Sequence, residues 1–199
     1  MQAAVDYYGY EPLVQLRQPL VVTGHPGSDL REIAYDLAAL TGLTVHDLDH
    51  RIAHEVGKSP WALRRQQGVE TYLECAASLA PSLLTSRPVG IVVVGIGTLE
   101  ARSELSDLAC ESSTVIFLRV DSSTMYWRLR QLYGQGRFRH PLLPDDLRHP
   151  DDLASLLADS QATMARSDLV IDVTPGQVHP AVTALHDYVV QQNLEFSTP

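Results

Sequence analysis

From Leu20 onward the chain alternates short apolar runs with stretches of helical spacing. Leu20-Val21-Val22-Thr23 is a continuous apolar run closed by Gly24 and reads as a buried strand. Ile33, Ala34, Leu37, Ala38 and Leu40 then recur at helical spacing up to Gly42, a helix stop. Thr44-Val45-His46 gives a second strand, followed by a helix carrying Ile52 and Val56 that stops at Gly57. The span from Pro60 to about Ser86 is helical with a break near Gly68. Ile91–Val94, Val115–Val120 and Leu169–Val173 supply three more strands, with helical patterns between them, and Ala181–Gln192 closes the chain. Apolar strands alternating with amphipathic helices predict an α/β fold, a parallel sheet covered on both faces. Ligands of such sheets bind beyond the carboxyl ends of the strands, here just after Thr23, His46, Val94 and Val120. The polar, tyrosine-rich residues 1–19 read as an N-terminal extension, 20–192 as the domain and 193–199 as a tail.

Composition narrows the function. Hydrophobic residues make up 45% of the 199, enough for a sizeable core. A net charge of −9 argues against nucleic acid as partner, because phosphate neutralisation needs a basic field. No apolar run is long enough to span a membrane, and the first residues lack a basic, apolar leader, so a cytoplasmic location is expected. Cys75 and Cys110 form neither a disulfide framework nor a zinc site and read as small buried hydrophobes. The cations are fourteen arginines and one lysine, Lys58.

That imbalance matters in the loop after the first strand, Gly24-His25-Pro26-Gly27-Ser28-Asp29-Leu30-Arg31. A phosphate-binding loop reads G-x-x-x-x-G-K-[ST], its lysine reaching the outer phosphates and its hydroxyl the metal ion. Gly24 and Gly27 suit such a loop, but Asp29 takes the second motif glycine's place, Leu30 the lysine's and Arg31 the hydroxyl's. Asp29 with Glu32 fits a capping box, which would leave the helix start no room for an anion. Gly57-Lys58-Ser59 spells the end of the motif but follows a helix and carries no nucleotide site.

Other constellations are less specific. Asp47 and Asp49 form a D-x-D at a strand end, open to metal or hydroxyl binding or to helix capping. His46, His50 and His54 recur every fourth residue and read as a solvated face. Gly95-Ile96-Gly97 lacks the third glycine of a dinucleotide fingerprint, which falls at Glu100. No G-x-S-x-G elbow is present. The helix Tyr126–Tyr133 runs into Gly134-Gln135-Gly136-Arg137, open to a packing role or a hinge.

The order of these motifs resembles shikimate kinase from about Leu20 to Gln192. Gly24-x-x-Gly27 with Ile33-Ala34-x-x-Leu37-Ala38, His46-Asp47-Leu48-Asp49, Gly68-x-x-x-Tyr72, Val94-Gly95-Ile96-Gly97, Val115-Ile116-Phe117-Leu118, His140-Pro141-Leu142-Leu143 and Asp168 before Val170 carry the similarity. The resemblance implies a three-layer P-loop kinase-like fold, a five-stranded parallel sheet of order 2-3-1-4-5, and a lid at about 131–150. It implies ATP-dependent phosphorylation of a shikimate hydroxyl with Mg²⁺. Asp47 then holds the position near the metal and Asp49 the one that meets substrate hydroxyls, the two retained catalytic positions. Gly24, Gly27, Ser28, Asp29, Leu30 and Arg31 form the nucleotide loop; Asp49, Leu73, Gly95, Ile96, Gly97 and Asp159 form the substrate pocket; Arg137, Arg139 and His140 belong to the lid.

Several of these positions depart from the family. Leu73 and Asp159 stand where carboxylate-binding arginines are expected, Ile96 replaces the middle glycine and His140 a lid arginine. The expectation is therefore a member that has lost phosphotransfer, binds no ATP or Mg²⁺, and serves as a small-molecule- or protein-binding module. The alternative is an active small-molecule kinase, with ATP and Mg²⁺, in which Arg31 or lid arginines hold phosphate.

Overall fold

A computed structural model describes residues 14–136 and 139–196. Most of the expected N-terminal extension and Arg137 lie outside the described residues. Five strands form one parallel sheet: β1 (Leu20–Gly24), β2 (Val45–Asp47), β3 (Ile91–Val93), β4 (Thr114–Arg119) and β5 (Leu169–Asp172). Their order is β2-β3-β1-β4-β5. This is the topology that the resemblance implies. The helices are α1 (Leu30–Thr41), α2 (Leu48–Val56), α3 (Pro60–Gln67), α4 (Val69–Leu84), α5 (Ser103–Ser112), α6 (Ser122–Gly134), α7 (Ala154–Arg166) and α8 (Val178–Phe196), with a short 3-10 turn at Pro150–Leu153.

The central strands β1, β3 and β4 carry unbroken apolar runs because both faces are covered there. Leu20, Val22, Ile91, Val93 and Ile116 pack with Ile33 and Leu37 of α1, Met125 and Leu129 of α6 and Leu185 of α8. Val21, Val92 and Val115 face the other way, onto Leu48 and Ile52 of α2, Leu63 of α3, Ala76 of α4 and Leu105 of α5. Cys75 and Cys110 are only half-buried beside this second layer, not buried as expected, because each sits on the flank of its helix.

The expected boundaries shift by a residue at several ends. The second strand runs to Asp47 because that residue has extended backbone (φ −94°, ψ 117°) and caps α2 at once, accepting the His50 amide at 3.1 Å. The break near Gly68 is real: its φ of +93° separates α3 from α4. Among the described residues no helix is long and apolar enough to cross a membrane.

Candidate functional site

The carboxyl ends of β1, β2 and β3 open onto a cavity of about 510 Å³, bounded by the loop between β1 and α1, the D-x-D, Gly95, Ile96 and His140. The loop begins with a close approach of backbones. A Cβ at Gly24 would stand 2.3 Å from the Leu118 carbonyl oxygen of β4, so only glycine lets the chain leave the sheet there. His25 folds back under the loop, with its ring edge-on to Phe117 at 5.1 Å and its Nδ1 2.9 Å from the Val120 carbonyl oxygen. Burial lowers its pKa. Ser28 is buried, and Leu30 packs against the core in the lysine's place.

The expected capping box does not form. Asp29 precedes α1, and its carbonyl accepts the Ile33 amide at 3.0 Å, but its backbone is left-handed (φ 55°, ψ 32°) rather than the extended conformation of a side-chain cap, and its carboxylate accepts no bond from the helix amides. One carboxylate oxygen instead accepts from Arg128 Nη2 of α6 at 3.1 Å. The other accepts from the Gly176 amide, in the turn after β5, at 2.6 Å. Asp29 thus joins three parts of the site that are distant in sequence.

Arg31 turns toward the D-x-D. Its Nε donates to Asp47 Oδ2 at 2.5 Å and its Nη2 to Asp49 Oδ2 at 2.9 Å. Burial opposes the guanidinium's charge, but the bonds to and charges of Asp47 and Asp49 outweigh it and raise the pKa. Asp49 is pushed up, chiefly by desolvation, with Arg31 pulling the other way. The Tyr72 hydroxyl reaches Asp49 Oδ1 and Thr98 Oγ1, both at 3.4 Å. Asp47, with 4% of its side chain exposed, therefore serves as helix cap and as ion-pair partner together.

The segment after α6 closes over the cavity. His140 is buried; its amide donates to the Tyr133 hydroxyl at 3.2 Å and its Nδ1 accepts the Leu142 amide at 3.2 Å. Desolvation, helped by the charge of Arg31, lowers its pKa to about 4. Leu142 lies directly on Gly97, where a Cβ would come within 1.9 Å of Leu142 Cδ1. Asp145 accepts from Trp61 Nε1 at 3.1 Å and Arg64 Nη1 at 2.9 Å, tying the segment to α3. Arg139 donates to the Tyr133 carbonyl at 2.8 Å and stacks on that ring, away from the cavity lining.

The expected site residues therefore divide. Gly24, Gly27, Ser28, Asp29, Leu30, Arg31, Asp47, Asp49, Gly95, Ile96 and His140 line one cavity. Leu73 does not: it is half-buried against the second core layer. Asp159 does not either: it is exposed on α7, bonded to Ser155 at 3.4 Å. The α7 residue near Gly97 is Leu156, because helical geometry puts Asp159 on the outer face. His50 and His54 are exposed, and among the described residues no cluster of three His, Cys, Asp or Glu could hold a metal. Sequence reasoning missed Leu132, which lines the cavity, and the pairing of Asp29 with Arg128 and Gly176. For Arg128 the signal was its place, with Arg130, on the Tyr126–Tyr133 helix; for Gly176 there was none.

The family model of shikimate kinase matches residues 31–190. Among solved structures, a shikimate kinase from Acinetobacter baumannii in complex with shikimate superposes with a TM-score of 0.74 at 16% identity, over 89% of this chain and 96% of that one. A shikimate kinase from Bacteroides thetaiotaomicron gives 0.71 at 16% identity, over 86% and 98%. A gluconokinase from Sinorhizobium meliloti gives 0.55 at 18% identity, over 93% and 99%. No curated protein sequence matches significantly.

Proposed function

The chain belongs to the shikimate kinase family, and from that premise we propose that it no longer transfers phosphate from ATP and instead holds a small uncharged or cationic ligand in the cavity at the strand ends. The observation that carries this reading is the ion pairing of Arg31 with Asp47 and Asp49. ATP and Mg²⁺, the cofactors the family implies, do not fit the residues present. The carboxylate that would meet a metal already holds a guanidinium, Leu30 offers a phosphate no charge, and Asp29 adds a carboxylate to the loop. A phosphate oxygen brought to about 4 Å from that carboxylate meets a repulsion of at most roughly 4 kcal/mol per unit-charge pair at an effective dielectric of about 20, because Arg128, 3.1 Å from Asp29, offsets part of it.

Four carboxylates (Asp29, Glu32, Asp47, Asp49) and the single guanidinium of Arg31 line the cavity, beside the apolar Leu30, Ile96 and Leu132. Such a lining disfavours phosphates and carboxylates and accommodates hydroxyl or ammonium donors. An active kinase using Arg31 for phosphate would have to break two ion pairs first.

Calorimetric titration of the purified protein with Mg·ATP, and separately with shikimate, tests the reading. No saturable heat is expected at millimolar concentration of either. Saturable Mg·ATP binding with phosphorylation of an added hydroxyl acceptor would overturn it.

A further inference from the structure

The start of a helix binds anions through its free amides, and a phosphate-binding loop adds a hydroxyl that meets the metal ion. In this chain both charges of such a metal–phosphate pair are present as side chains. Asp29, directly before α1, supplies two anionic oxygens to two donors from separate elements, Arg128 of α6 and the Gly176 amide after β5. Arg31, at the hydroxyl's place, supplies a cation to Asp47 and Asp49.

Resting on the reading that ATP is not used, we propose that Asp29 and Arg31 are tethered surrogates for a metal–phosphate pair. The anion of Asp29 holds α6 and the 176 turn against the loop, and the cation of Arg31 holds the D-x-D, with no metal and no nucleotide.

Burial and backbone geometry both support this. The Asp29 side chain is 11% exposed and that of Asp47 4%, so each would carry a costly unpaired charge if its partner were lost. The Asp29 backbone, at φ 55°, is one that glycine adopts without strain. The carboxylate and its two bonds are what aspartate adds there. Arg31 also lies close enough to His140 for its charge to help keep that ring neutral. The cation thus acts on the covering segment as well as on the D-x-D.

The test compares thermal unfolding and ion binding of the parent, R31S and D29G, each with Mn²⁺ alone and with inorganic phosphate alone. The parent's midpoint is expected to ignore both ions. R31S is expected to unfold at lower temperature, to be restored by Mn²⁺ but not by phosphate, and to bind Mn²⁺ at least about tenfold more tightly than the parent. D29G is expected to gain phosphate affinity by a similar factor and to ignore Mn²⁺, its glycine suiting the backbone. Folded variants that gain no affinity for the cognate ion would overturn the proposal. So would a parent whose midpoint rises by several degrees with either ion, and that measurement decides the matter if a variant fails to fold. Mg·ATP turnover by the parent would sink the functional reading instead; a parent without turnover whose variants gain nothing would sink only the surrogacy.

Discussion

Replacing His140 with glutamine removes a buried base from the covering segment, and its effect should depend on pH. The native ring is held neutral by burial and by the nearby charge of Arg31, and its Nδ1 accepts the Leu142 amide. Its pKa falls from 6.5 to about 4 on folding. A base whose pKa is depressed in the native state takes up its proton preferentially when unfolded. Its contribution is therefore intact above pH ~6.5 and is lost progressively as the pH falls toward about 4. Between pH 7 and pH 5 linkage gives a loss of about 2 kcal/mol from this residue alone, and about 3 kcal/mol below both pKa values. Glutamine keeps an acceptor for the Leu142 amide but does not titrate. Urea unfolding of both proteins at pH 7 and pH 5 checks the figure. The parent should lose about 2 kcal/mol more than H140Q over that interval. Other groups cancel in the difference, including His25, whose depressed pKa acts in the same direction in both proteins. Parallel stability curves for the two proteins would refute the argument and mean that His140 is open to water or already charged.

The covering segment yields two further tests. G97A should destabilise by about 2 kcal/mol or more, since the new Cβ meets Leu142 Cδ1 at 1.9 Å and the backbone sits at φ +88°. Adding L142A should recover the steric part but not the backbone part; full recovery would show that the positive φ costs nothing. D145A removes the acceptor shared by Trp61 and Arg64 and should cost about 1 kcal/mol, reduced by exposure. It should also raise acrylamide quenching of Trp61 fluorescence, and unchanged quenching would mean that Asp145 does not tie the segment to α3.

What the sequence determined by itself is periodic or local. Apolar strands such as Ile91–Val93 and helices stopped by Gly42 and Gly57 carry their signals within a few residues, so the five-stranded sheet and its helices are legible without coordinates. The departures in the phosphate loop are equally legible, since Asp29, Leu30 and Arg31 are read against a contiguous motif. The side chains' partners were not. Asp29 looked like a helix cap because Glu32 follows at the right spacing, but a left-handed φ turned its carboxylate to Arg128 and Gly176, 99 and 147 residues away. Asp159 stands where the resemblance expects a carboxylate-binding arginine, yet its helical phase put it in solvent and put Leu156 inside. Arg31 looked like a lost hydroxyl, and its meeting with Asp47 and Asp49 needed the crossover that sets β2 beyond β3. Periodicity fixes elements because hydrogen bonding and burial repeat along the chain. Ion pairs depend on rotamers and on which strand ends the topology brings together, and these exist only once the sheet is assembled.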